Sequence, residues 1–377
     1  MPTPAAVKNN TLYINHIRVL LTILVILHHT FITYGASGSW YFTQKTTHTG
    51  ALIPMTMFVA VNQSFFMGFF FFFAAFFSEP SYRKKGAGRF MLDRLKRLGL
   101  PLVFYSLLLS PCMNYAVARY GRGTAISFRD YINGYDDWID FGVLWFTAAL
   151  LLFSLIYVLV KPVQDGRPQR NYQLPSDRAI FIFALAVAAV SYVVRMVFPL
   201  GWVLHPLGFQ LGYFPQYIAL FWAGLIAAKN NWLEQTDSIR LRKWVVVALL
   251  FIVSFPCLYI IMMLTKSPLA SFSGAGTWQS LLLALWEQFT GMSIIVVLLC
   301  LGKRKWNRPS LLLQRMARAA YGVYIIHPAI VIGLALAVKD LAIDPAIKLL
   351  LVAPPAVLLC FLAGEVLVRL PGVKTII

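Results

Sequence analysis

Negative charge is what this chain has least of. Asp and Glu together occupy 14 of 377 positions against 33 Lys and Arg, and residues of either charge make up only 12%. A water-soluble domain carries about a quarter of its residues charged. With 59% hydrophobic residues and a mean hydropathy of +0.71, this composition excludes a soluble fold and makes the bilayer the natural solvent. No polar stretch is long enough to build a second, soluble domain, so one membrane-embedded domain over residues 1–377 is expected. Cysteine is equally scarce: Cys112, Cys257, Cys300 and Cys360 all fall in apolar runs without CxxC or Cys/His spacing. That excludes a disulfide framework or thiolate metal site, and no metal or bound cofactor is expected. The first apolar run has Arg18 inside it and no small-residue cleavage site directly after it, so it reads as a retained helix rather than a signal peptide.

Long apolar runs are what the chain has in abundance. A bilayer-spanning helix needs about 20 apolar residues, and ten runs qualify: 13–34, 56–78, 99–118, 142–160, 179–197, 209–228, 244–264, 279–301, 319–338 and 346–368. The fold class expected is therefore all-α, a polytopic membrane protein of about ten transmembrane helices. The charges test the count independently, because cytoplasmic loops are enriched in Lys and Arg. With ten spans, 24 of the 33 fall on one side (Lys8 and the loops around 83–97, 161–178, 229–243, 303–318 and 369–374) and 8 on the other, leaving only Arg18 inside a span. A miscounted helix would scramble this alternation, so both termini are placed in the cytoplasm. The same alternation makes the net charge of +19 a topology signal and excludes nucleic acid as the partner. The segment 64–78, SFFMGFFFFFAAFFS, combines nine Phe with Gly68, Ala74 and Ala75, small residues that let helices approach closely. The outward loop 119–141 carries Asp130, Asp136, Asp137 and Asp140 among aromatics; it reads either as a cap on the outer mouth or as solvated loop.

Ionisable residues within spans are costly and are default functional candidates. Here they are Arg18, His28 and His29 in the first span, Glu287 in the eighth, His327 in the ninth and Glu365 near the end of the tenth. Arg18 and His29 are eleven positions apart, which at about 100° per residue puts them within about 20° of one helix face and roughly 16 Å apart along the axis. One face thus offers a cation toward the cytoplasm and a base toward the outside; a snorkelling Arg and a hydrogen-bonded core His are the alternative. His28 falls about 80° off that stripe. Glu287 has no basic residue one turn away and needs a partner on another helix or a proton. His327, in AYGVYIIHP, is either a hydrogen-bond partner at a Pro328 kink or a wall of the site. Glu365 pairs with Arg369 at i+4.

These residues resemble a known family, the integral-membrane acyltransferase 3 proteins, whose hallmark is an Arg, ten residues and a His in the first helix; here that reads Arg18 to His29. Further likenesses follow in order: FFMGFFFFFAAFF, RLKRLGLP over 94–101, LWF over 144–146 with Trp145 at its centre, and AYGVYIIHP over 320–328. HHTFITYG with a following WY, and YIALFWAGLIAAKNNWL from Tyr217, look closest to the glucan-biosynthesis branch, which includes succinyl transfer to periplasmic glucans. Ala74-Ala75 stands where the family usually carries Ser-Gly.

The resemblance implies a membrane-bound O-acyltransferase, in the cell's inner (plasma) membrane, that moves an acyl group such as acetyl or succinyl from cytoplasmic acyl-CoA to a hydroxyl of a glycan or similar acceptor at the outer side. His29 would be the general base and Arg18 would orient the donor. Arg94 and Arg97 match the family's RxxR element and suit the CoA phosphates; Trp145, Glu287 and His327 complete the expected substrate contacts. No Ser or Cys shares the His29 face, so direct transfer is expected rather than a covalent intermediate. The competing class is a transporter or lipid-linked sugar flippase using the same polar residues as a pathway. The acyl group, the acceptor and the oligomeric state are not legible.

Overall fold

The computed structural model describes residues 11–166 and 171–376; Lys8 and part of the 161–178 loop lie outside them. Among the described residues the chain is helical, with one isolated β-bridge, Leu204 to Phe209. The principal helices are α1 (Leu12–Tyr34), α2 (Thr49–Gln63), α3 (Phe66–Arg94), α4 (Trp145–Asp165), α5 (Asp177–Val197), α6 (Phe214–Lys229), α7 (Leu241–Val253), α8 (Phe255–Leu264), α9 (Trp278–Leu301), α10 (Leu311–Ala337) and α11 (Pro345–Leu367). Ser176, Thr277, Ser310 and Asp344 start α5, α9, α10 and α11 by accepting a first-turn backbone N–H.

Nine helical stretches among the described residues are long and apolar enough to cross a bilayer, and one of them, Thr49–Gly121, runs for 73 residues. At about 1.5 Å per residue that is roughly 110 Å, several times a hydrocarbon core of about 30 Å. It divides at Gly86, whose φ of 74° and ψ of 170° are open to glycine alone. The chain doubles back there, since the Tyr82 and Phe90 rings meet at 5.7 Å and Arg94 reaches Ser78. The 73 residues therefore supply two crossings, and the nine stretches give the ten spans expected.

Contacts between loops bear out the two-sided charge pattern. On the basic face, Tyr13 donates to the Leu233 carbonyl, His16 meets the Trp306 carbonyl, Trp232 donates to Tyr172 O, and Lys243 pairs with Asp177. On the opposite face, Gln44 and Lys348 both donate to Lys339 O, Thr46 to Asp344, and Leu200 to Ser273 O. Helix α1 is central, with 61% of its apolar window buried, whereas the stretch Leu241–Leu264 at 11% faces lipid.

The Phe-rich segment packs as its small residues suggest. A Cβ on Gly224 of α6 would collide with the Phe72 carbonyl and the Ala75 methyl of α3, and one on Gly68 with Leu220 and Gln216. Prolines then shape the second half of the hairpin. Pro101 cannot donate to the Arg97 carbonyl, and the Tyr321 hydroxyl of α10 donates to it instead at 2.8 Å. Around it the helix widens into π turns at Leu95–Gly99, Tyr105–Leu109 and Val117–Gly121.

Candidate active site

A cavity of about 420 Å³ opens on the basic face between α1, α3, α4 and α10. Five cations line it, Arg18, Lys85, Arg94, Arg97 and Arg318, against a single acid, Asp93, which pairs with Lys85. The sequence-predicted Arg18, Arg94 and Arg97 are thus brought together from two separate stretches of chain. Their settings differ. Arg94 is held: its Nη2 donates to Ser78 Oγ at 2.9 Å and its guanidinium lies 4.9 Å from the Phe90 ring centroid. Arg97 is exposed, and its backbone carbonyl is the one capped by Tyr321. Arg18 is half-buried, and among the described residues no carboxylate pairs with it. Deeper in, the walls become aromatic, with Phe73, Phe146, Tyr321 and Tyr324. The cavity therefore grades from cationic to apolar with depth, the gradient wanted by a ligand with an anionic head and an apolar or neutral tail.

Tyr324 links the cavity to the histidines. Its ring lies 6.0 Å from that of His327, which in turn lies 5.3 Å from that of His29. Pro328 leaves the Tyr324 carbonyl without its helical donor, and His327 Nδ1 sits 2.8 Å from that oxygen. A carbonyl can only accept, so Nδ1 carries a proton, and Nε2 is buried and unpartnered. Of the two readings of His327, the contact with the Tyr324 carbonyl matches the hydrogen-bond partner at Pro328, and the ring also lies 5.3 Å from His29 without lining the basic cavity. Trp40 stacks on His29 at 4.0 Å and lies 6.3 Å from His327, and His28 packs on Phe66 at 4.9 Å. Four ring nitrogens here are buried without a hydrogen-bond partner: His28 Nδ1, His29 Nδ1, His327 Nε2 and Trp40 Nε1. Buried polar atoms are nearly always paired, so such a concentration marks a place prepared for a polar group. His29 itself is only partly buried.

Glu287 and Trp145 lie elsewhere. Glu287 binds Arg195, Nη2 to Oε2 at 2.7 Å, with both side chains sequestered. Charge alternation assigns Arg195 to an outer loop; in the fold it is fully buried in the last turn of α5, drawn in by Glu287 and by the Gly212 carbonyl. Trp145 stacks on Tyr217 at 5.5 Å rather than lining the basic cavity, whose wall is formed by its neighbour Phe146. Glu365 pairs with Arg369 at 2.7 Å.

Several members of the site are not evident in the sequence. Trp40 lies beyond the end of α1, outside any span, so no apolar pattern marks it. Tyr324 did carry a signal, being three residues before His327 and so its neighbour on the helix surface. Glu79 and Lys161, both nearly inaccessible, form a buried pair at 2.9 Å with Tyr157 donating to the same carboxylate. Drawn at Ser78 and Val160, the predicted span ends hide both. Among the described residues no group of three His, Cys, Asp or Glu is placed to hold a metal.

A polytopic helical bundle with a cationic cavity on its basic face defines a multi-pass membrane protein. The family model described as an acyltransferase domain, of the acyltransferase 3 type, matches residues 11–365, and the chain belongs to that family. It is an acyltransferase acting on groups other than amino-acyl groups. No curated protein and no solved structure matches the chain significantly.

Proposed function

We propose that the enzyme transfers an acyl group from cytoplasmic acyl-CoA to a hydroxyl of a glycan or similar acceptor at the outer side of the cell's inner membrane. The observation that carries this reading is the convergence of Arg18, Arg94 and Arg97 on one cavity whose wall residue Tyr324 packs 6.0 Å from His327, itself 5.3 Å from His29. Arg94 and Arg97 meet the CoA phosphates, and Arg18, unpaired and deeper along α1, holds the donor's remaining negative charge or its amide carbonyls. The acyl thioester then lies along the aromatic wall toward the histidines.

The chemistry balances without an added reagent. The acceptor oxygen attacks the thioester carbonyl while the His29 imidazole takes its proton. The tetrahedral intermediate collapses by breaking the C–S bond, an ester forms, and His29 returns the proton to the departing thiolate as free CoA. Trp40 Nε1–H, unpartnered and beside His29, is the donor available to the oxyanion. His327 Nε2 accepts from the imidazolium and keeps it oriented. A glucose-containing acceptor and an acetyl or succinyl donor fit the likeness of HHTFITYG and the segment after Tyr217 to the glucan-biosynthesis branch.

The test uses purified protein supplied with radiolabelled acyl-CoA and a glycan acceptor. His29→Ala is expected to lose transfer by 100-fold or more, the ordinary contribution of a positioned base, while eluting as a monodisperse, folded species. Full activity in that variant would refute the assignment.

A further inference from the structure

Away from the basic face lies a second constellation that the donor cavity does not use. Arg195 and Glu287 form its centre; the Arg195 guanidinium also lies 5.4 Å from the centroid of Tyr213. Tyr213 stacks toward Tyr217 at 6.4 Å, and Tyr217 on Trp145 at 5.5 Å. Amides frame this aromatic row. Gln63 donates to the Tyr217 hydroxyl at 3.1 Å, and Gln216 donates both to Ser64 O at 2.7 Å and to Gln288 Oε1 at 3.0 Å. Yet much of the polar capacity is unspent. Arg195 Nη1, Glu287 Oε1, Gln216 Oε1, Gln288 Nε2 and Thr290 Oγ1 are all buried without partners, on side chains at most 4% exposed. Leaving such groups unpaired costs about 1–3 kcal/mol each, so the site is built to be completed from outside the chain. Its accessible edge is Gln63, Trp145 and Tyr213, all half-buried.

The charge balance indicates what completes it. The donor cavity carries five cations and one acid; this cluster carries one of each, already paired, and otherwise offers only amides, hydroxyls and ring faces. That is chemistry for a neutral, hydroxyl-rich ring: a C–H face against Trp145, hydroxyls to the amide and carboxylate oxygens and to the Tyr213 hydroxyl. A short stretch of chain ties it to the histidine layer. The break between α2 and α3 falls at Ser64 and Phe65, with Gln63 on one side and Phe66, the ring under His28, on the other. Arg195 ends α5, Tyr213 precedes α6 and Trp145 begins α4, so all three lie in the half remote from the basic face.

We infer that the cluster of Gln63, Trp145, Tyr213, Tyr217, Arg195 and Glu287 is the acceptor subsite and that it selects an uncharged sugar over an anionic one. The inference rests on the transfer reaction proposed above. Its test therefore includes a binding measurement that needs no turnover: equilibrium binding of tritiated methyl β-glucoside to His29→Ala protein, alone and with Trp145→Ala or Tyr213→Phe added. Binding should weaken about tenfold, the equivalent of one lost contact of 1.4 kcal/mol, with methyl β-glucuronide competing at least tenfold less well than the glucoside. In the parent with His29 intact, Trp145→Ala and Tyr213→Phe should raise the acceptor KM about tenfold and leave the donor KM within twofold. Unaltered glucoside binding in both variants, or a glucuronide that competes equally, overturns the subsite. Retained transfer by His29→Ala would overturn the reaction instead, and the binding result would still stand on its own.

Discussion

Arg94 and Arg97 are three residues apart and look equivalent in sequence, but the structure makes them unequal, and the inequality can be measured. Arg94 is fixed by Ser78 Oγ at 2.9 Å and by the Phe90 ring, so its fork already points along the cavity wall before a ligand arrives. Arg97 is exposed on the rim. A charge-assisted hydrogen bond from a pre-ordered, partly desolvated guanidinium contributes about 1.5–3 kcal/mol, whereas an exposed, solvent-screened ion contact contributes roughly 0.2–1 kcal/mol. With 1.4 kcal/mol per tenfold, Arg94→Gln should raise the acyl-CoA KM by about 10- to 150-fold, and Arg97→Gln by no more than about fivefold. Arg94→Lys should behave nearly as badly as Arg94→Gln, because an ammonium cannot hold Ser78 and a phosphate in one plane. Initial rates against acyl-CoA concentration decide this. Repeating them at 50 and 500 mM salt should erase the Arg97 effect and leave most of the Arg94 effect, since partly buried pairs are screened less. Equal effects, a larger loss at Arg97, or an unchanged donor KM in both variants would refute the reasoning.

Two predictions concern the scaffold. Glu79→Gln and Lys161→Met each remove one half of a pair whose side chains are about 97% buried, and each should cost up to about 3–5 kcal/mol, with Asp165 at 3.2 Å softening the loss when Glu79 is removed and Arg83 at 2.7 Å when Lys161 is. The double variant should be far less destabilised than the sum; additive losses in a thermal-denaturation cycle in detergent would show that the pair is not coupled. Gly224→Ala drives a methyl into the Phe72 carbonyl and should cost about 1–3 kcal/mol by overpacking. Gly88→Ala, where a Cβ meets nothing within 4 Å, should leave the denaturation temperature unmoved, and equal shifts in the two would disprove close α3–α6 packing as the cause.

Apolar length and the alternation of basic loops carried the architecture because both are dictated by the bilayer rather than by neighbouring helices. The same constraint explains what was legible in the site. Arg18, His28, His29, Glu287 and His327 stand out because ionisable groups are rare in spans. Partners and depth were not legible. Arg195 counted as a loop charge because it lies at a helix end, and only the fold shows it swallowed by Glu287. Glu79 escaped for the same reason at the other membrane face, a single residue past the predicted end of its helix. Trp40 stood out only as part of the WY after HHTFITYG; its position over His29 depends on how residues 35–48 fold back over α1, a tertiary fact with no periodicity behind it.

Basic residues serve two purposes on one face, and the structure separates them. The positive-inside rule alone would explain an excess of Lys and Arg there, so charge by itself is no argument for an anionic donor. What matters is which cations converge on one space. Lys303 and Arg304 are spent on the carbonyls of Glu234, Asp237 and Ile239, Lys243 on Asp177, Arg83 and Lys161 on Glu79, and Arg369 on Glu365. Those fasten loops to one another. Of the five cations that line the cavity, only Lys85 is neutralised, by Asp93. The remaining four, Arg18, Arg94, Arg97 and Arg318, come from three separate helical stretches and converge on one space that narrows toward Tyr324. Topology requires positive charge on this face, but it does not require convergence, and convergence ahead of a histidine is what an anionic acyl donor needs.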